Sequence, residues 1–136
     1  MPLATFRAID VEGCSFVTAQ PDVREADRPV LDAWPRAADL GSGLRTFDDT
    51  AAYFEALDLV VTVDTSVAHL AGALGRPVWI LLPHACDWRW LLDRDDSPWY
   101  RTARLYRQRR PGDWASVLDR VRADLAELAL KPREGR

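Results

Sequence analysis

Apolar residues along the chain occur in two kinds of run, and the difference between them predicts the elements. Residues 59–63 (LVVTV) and 78–82 (VWILL) are unbroken apolar stretches with β-branched residues, bounded by polar or turn residues. Runs of this length and composition are expected of strands buried on both faces. Between them, residues 65–74 are predicted as a helix of small residues. Gly75 stands just past its C-cap, and Pro77 prevents continuation. Upstream, residues 48–58 (DDTAAYFEALD) suggest a helix capped by Asp48 or Asp49, with Ala52, Phe54, Ala56 and Leu57 only partly at helical spacing. Downstream, residues 103–106 form another short strand candidate. Gly112 and Asp113 then open a helix whose Trp114, Val117, Leu118, Val121, Leu125 and Leu128 make an amphipathic stripe.

The remainder is less regular. A weak helix is expected at 3–9 and a short strand at 14–19 (CSFVTA). Residues 20–43 are rich in Pro, Asp and Arg and read as loop, with one short strand near Val30 and Leu31. Residues 84–100 read as a long loop with one helical turn at 88–92, and the tail from 130 to 136 as frayed. Strand, helix, strand, helix, with short turns and doubly buried strands, predicts an α/β fold: a single Rossmann-like domain, residues 1–136, with a parallel sheet flanked by helices. A length of 136 residues suits one such domain.

Charge and cysteine usage narrow the function. Eighteen basic against 21 acidic residues leave a net charge of −3, which gives no electrostatic basis for nucleic-acid binding. Two distant cysteines, Cys14 and Cys86, show no metal-ligand spacing and fit a reducing, cytoplasmic setting. No apolar run is long enough for a membrane span, and the first residues do not resemble a signal peptide. Asp93, Asp95 and Asp96 are interleaved with arginines and read as surface ion pairs, so no metal site is expected. The basic run at 104–110 (RLYRQRR) before the last helix reads by default as a solvated turn, with an acceptor-phosphate or partner site as the alternative.

The junction at Asp64, Thr65 and Ser66 is where chemistry is expected. In parallel sheets ligands bind beyond the carboxyl ends of the strands. A helix starting there presents unpaired N–H groups and a partial positive charge, which suit a phosphate. Thr65 and Ser66 add hydroxyls, and His69, four residues after Thr65, lies on the same face one turn along. The competing local reading is that Asp64 merely caps the helix and His69 is a hydrogen-bonded core residue. A hydrolase triad of Asp64, Ser66 and His69 fails on geometry, and no Gly-x-Ser-x-Gly elbow is present. Glycine-rich dinucleotide or P-loop motifs are absent as well.

The stretch LDLVVTVDTSVAHLAGALGRPVWILLP, followed by DWRWLLDRDDSPWY and GDW, closely resembles the C-terminal part of bacterial glycosyltransferase-like proteins found behind tetratricopeptide repeats. More distantly, Asp64-Thr65-Ser66 with His69 resembles the Asp-Thr-Gly/Ser-x-x-His signature of the heptosyltransferase family. The likeness covers residues 46–125, whereas 1–45 match weakly. It implies the donor-binding half of a GT-B architecture, with a nucleotide-diphospho-sugar as donor substrate and no cofactor. Asp64, Thr65, Ser66 and His69 would contact the diphosphate and ribose, and Gln20, Phe47 and Trp88 the base or sugar. Relatives carry a lysine after the strand that ends in Gln; here Pro21 and Asp22 follow Gln20, with Arg24 the nearby substitute. The resemblance assigns no catalytic residue, because the acceptor domain normally supplies the base. The chain is therefore expected to be inactive by itself and to need a separate acceptor domain. The alternative is a non-catalytic half-domain acting in protein association or homodimerisation.

Overall fold

The computed structural model describes residues 1–131, so the terminal stretch 132–136 of the expected frayed tail lies outside the described residues. The fold is α/β with parallel sheets and falls into two compact units. One comprises Met1–Arg45 with the chain from Leu118 onward; the other is Thr46–Val117.

The second unit is built on β3 (Val60–Val63), β4 (Val78–Leu82) and β5 (Ala103–Arg107), ordered β3-β4-β5 and all parallel. Val60 pairs with Val78 and Val63 with Leu81, while Leu82 pairs with Arg107. Every residue of the central strand β4 is buried, as its unbroken apolar sequence requires. Helix α3 (Phe47–Glu55) precedes β3, and α4 (Ser66–Ala73) connects β3 to β4 and packs on both. Neither Asp48 nor Asp49 is the N-cap of α3. Thr46 takes that place, its hydroxyl accepting from the Asp49 N–H at 3.1 Å while the Asp49 carboxylate accepts from the Thr46 N–H at 2.9 Å. This reciprocal capping box satisfies two end donors with one residue pair. Gly75, at φ 66°, ends α4 in the left-handed conformation that its lack of a side chain makes accessible. The expected helical turn in the following loop is a 3-10 turn at Trp88–Trp90.

The first unit contains α1 (Leu3–Phe6), α2 (Arg28–Asp32) and a two-residue parallel pair, β1 (Phe16–Val17) with β2 (Ala37–Ala38). The strand expected near Val30 and Leu31 is α2 instead. Pro29 stands in its first turn, where the fixed φ favours a helix and the missing N–H removes no bond. Ion pairs hold the irregular segments together: Arg24 and Arg28 bind the carboxylates of Asp27 and Asp39, and Arg36 lies 2.8 Å from Asp10. Helix α5 (Trp114–Leu130) starts where expected, its Ser116 N–H capped by Asp113 at 3.1 Å. Val117, Leu118, Val121 and Leu125 are buried, but Leu128 at the end of the predicted stripe is exposed.

Candidate functional site

Because β3, β4 and β5 run parallel, the turn after β3 and the loop after β4 leave the sheet at the same edge. The α4 helix begins there with Thr65 as N-cap, and no side chain caps it. Among the described residues no hydrogen bond joins Asp64 to the first N–H groups of the helix, whose N-cap is Thr65. Thr65 and Ser66 are both exposed. Among the described residues Ser66 makes no hydrogen bond to His69, and both ring nitrogens of that histidine face other groups.

His69 is gripped from three sides. Its Nδ1 is 2.9 Å from the Tyr100 hydroxyl, and its Nε2 is 3.9 Å from Asp64 Oδ1. Its ring stacks on Trp90 with centroids 5.1 Å apart and an interplanar angle of 20°. Trp90 is wholly buried, and among the described residues its indole N–H has no hydrogen-bond partner, so its placement depends on packing. Tyr100 meets His69 edge-on at 5.8 Å and rests against Gly72. A β-carbon on Gly72 would overlap the Tyr100 ring, lying 2.8 Å from both of its Cδ atoms. One turn of α4 therefore supplies both a polar contact and the gap that admits its partner.

The loop carrying these aromatics is stapled down. Buried Ser97 accepts from the N–H groups of Trp99 and Tyr100 at 3.2 and 3.4 Å. The Trp99 indole donates to the Arg89 carbonyl at 2.8 Å, and Leu105 N–H to the Asp95 carbonyl at 2.7 Å. Arg107, read from the sequence as part of a solvated turn, reaches inward. Its guanidinium donates to the Trp90 carbonyl and contacts Cys86 Sγ, each at 2.6 Å. These ties hold Leu91 at φ 56° and Asp93 at φ 54°, conformations that cost a non-glycine residue about 1–3 kcal/mol.

The His69 ring meets the Asp64 carboxylate. Asp87 opens the 3-10 turn, and its carboxyl is held below its usual range. The largest cause is the Arg89 backbone N–H, followed by the Arg89 side chain, with a smaller contribution from His69. Asp93 and Asp95 are exposed, and Asp96 is clamped by Arg94 at 2.6 and 2.8 Å. Among the described residues no three His, Cys, Asp or Glu side chains gather to hold a metal ion. Both cysteines are free.

Of the residues singled out from sequence, Asp64, Thr65, Ser66 and His69 come together in the second unit. Phe47 and Trp88 also belong to it, 63% and 69% exposed, with the Arg89 guanidinium over the Trp88 ring at 4.9 Å. Gln20 belongs to the first unit and is exposed. Arg24, the substitute for the expected lysine, is paired with Asp27. Sequence reasoning missed Gly72, Trp90 and Tyr100 as parts of the His69 environment. For Gly72 the signal was available, since it lies three residues from His69 on the same helix face.

Among the described residues no helix is long and apolar enough to cross a membrane. No protein-family model matches the chain, and no solved structure matches it. Among curated proteins the chain is similar to Protein FlbA of Caulobacter vibrioides, 33% identical over 100 residues. The match covers 73% of this chain and 16% of that protein, so the chain spans about a sixth of the relative's length.

Proposed function

We propose that this chain is the nucleotide-diphospho-sugar donor-binding domain of a glycosyltransferase, working in the cytoplasm and depending on a separate acceptor domain for transfer. The observation that carries the reading is the open start of α4. Its N-terminal N–H groups have no side-chain cap, Thr65 and Ser66 are exposed beside them, and His69 stands one turn along. A sealed Ser66 would have supported helix capping instead. The position beyond the carboxyl end of β3 agrees with where parallel α/β sheets bind ligands. Hydroxyls, helix N–H groups and a histidine form a donor set suited to diphosphate and ribose oxygens. The match to a 100-residue segment of a longer protein is what a module used inside longer chains would leave.

A second reading rests on a different observation. Trp88, Leu91, Leu92 and Trp99 of one loop are all at least 40% exposed. Clustered exposed apolar residues mark association surfaces, which favours a non-catalytic module that binds another protein or a second copy of this chain.

Thermal-shift and NMR titration with ADP, UDP, GDP and their sugar conjugates separates the two. The donor reading expects saturable shifts around residues 64–69 for one nucleotide, abolished by Thr65→Ala with His69→Ala. Silence for every nucleotide at millimolar concentration refutes it.

A further inference from the structure

We infer that Tyr100 is the positioning residue of the site: its hydroxyl donates to Nδ1 of His69 and so fixes Nε2–H as the donor that the ring offers beside the 64–66 turn. The two ring nitrogens face chemically different groups. Nε2 lies 3.9 Å from the Asp64 carboxylate, where a lone pair would be repelled and an N–H is favoured. In the neutral ring that leaves the lone pair on Nδ1, 2.9 Å from a phenolic hydroxyl that can donate to it. Stacking on Trp90 fixes the plane of the imidazole, and the Tyr100 hydroxyl fixes its rotation within that plane.

The tyrosine is itself positioned. Its ring is seated against Gly72, and its backbone N–H is bonded to the Ser97 hydroxyl at 3.4 Å. Tyr100 thus acts through His69 across 31 residues of sequence. The N–H so fixed lies on the Asp64 side of the ring, and a neutral donor there does not require the lysine missing after Gln20. This assignment of His69's partner rests on the donor-site reading for its functional meaning, but the proton placement can be tested without any ligand.

The test is the ring ¹⁵N spectrum of the full chain at a pH where the imidazole is neutral. The sequence has only two histidines, and a His84→Asn variant separates them. The wild-type protein is expected to show protonated Nε2 and an unprotonated Nδ1, with the Nδ1 resonance moved from its free position by the accepted bond. Tyr100→Phe, which keeps the ring on Gly72, is expected to return Nδ1 towards its free position. It is also expected to weaken ADP binding about three- to tenfold, the range for one lost hydrogen bond. A protonated Nδ1 on His69 in the protein that keeps Tyr100, assigned with the His84→Asn variant, overturns the proposal. An Nδ1 resonance unmoved in folded Tyr100→Phe overturns it equally. Absence of ADP binding by the wild type would instead refute the donor reading and leave the proton placement to stand on the spectrum.

Discussion

Gly72→Ala tests the packing on which the site depends, because its sign depends on Tyr100. Alanine in a helix interior is favoured over glycine by about 0.5–1 kcal/mol. At Gly72 the three atoms nearest a new β-carbon are Cγ, Cδ1 and Cδ2 of Tyr100, all of them in the body of the ring. No flexible tip can swing aside, so relief means moving the whole ring and taking its hydroxyl away from His69. Overpacking of this kind costs about 1–3 kcal/mol, which exceeds the helical gain and leaves a net loss of about 1 kcal/mol. In a Tyr100→Ala background the obstacle is gone, and the same substitution is expected to stabilise by its propensity term. The two backgrounds should therefore differ by about 1–3 kcal/mol, above the 0.3–0.5 kcal/mol scatter of independent sites. Urea midpoints at constant m measure the cycle. A Gly72→Ala variant that is equally stabilised in both backgrounds would refute the seating of Tyr100 on this glycine.

Other expectations follow from single contacts. Asp39 is held below the usual carboxylate range chiefly by Arg28, then by the Thr18 hydroxyl, and Asp27 chiefly by the Leu3 N–H. Their folded pKa values lie below the unfolded value of about 3.9, so their stabilisation is present above that pH and lost as pH falls through the folded values. Urea midpoints are expected to drop below about pH 4, with a shallower slope in Asp39→Asn; an unchanged slope would refute the assignment. Arg107→Leu leaves the Trp90 carbonyl without its guanidinium donor and is expected to cost about 1–3 kcal/mol. An unchanged urea midpoint in Arg107→Leu counts against the inward placement of Arg107.

The parts of the fold legible in the sequence are those that local chemistry decides. β3 and β4 announce themselves because a strand buried on both faces needs an unbroken apolar run, and Gly75 and Pro77 mark the end of α4 by backbone geometry. The first unit is a harder case. Its β2 is two alanines, which carry no strand signal, and its α2 depends on Pro29 falling in a first turn rather than in a loop. At the site, the face shared by Thr65, Ser66 and His69 follows from helical spacing. Trp90 and Tyr100 do not, because they reach His69 from a loop 21–31 residues further on and are placed by long-range packing. Arg107 illustrates the same limit. A basic run reads as solvated until the fold brings a backbone carbonyl and a thiol to one member of it.

The absence of the expected lysine also sets the scale of the binding to look for. The hydroxyls of Thr65 and Ser66 and the N–H of His69 are neutral donors, but a diphosphate is charged, so each bond is worth about 1.5–3 kcal/mol. The start of α4 adds about 0.3–1 kcal/mol towards an anion. Together these amount to about 5–10 kcal/mol, from which association takes about 4 kcal/mol or more in lost freedom, while a 1 mM dissociation constant corresponds to about 4.1 kcal/mol. The site as it stands in the second unit therefore predicts binding near the millimolar range for a simple diphosphate. Its salt dependence should be shallow, because no lysine–phosphate pair is involved. Base and sugar contacts must supply the rest of the affinity of a true donor, and the exposed rings of Phe47 and Trp88 are the groups that can. A sugar-nucleotide that binds at least tenfold more tightly than pyrophosphate, with the difference lost in Trp88→Ala or Phe47→Ala, would assign those rings to the donor. Equal affinities would leave the exposed loop around Trp88 to the association reading, because its apolar surface would then have no part in holding the nucleotide.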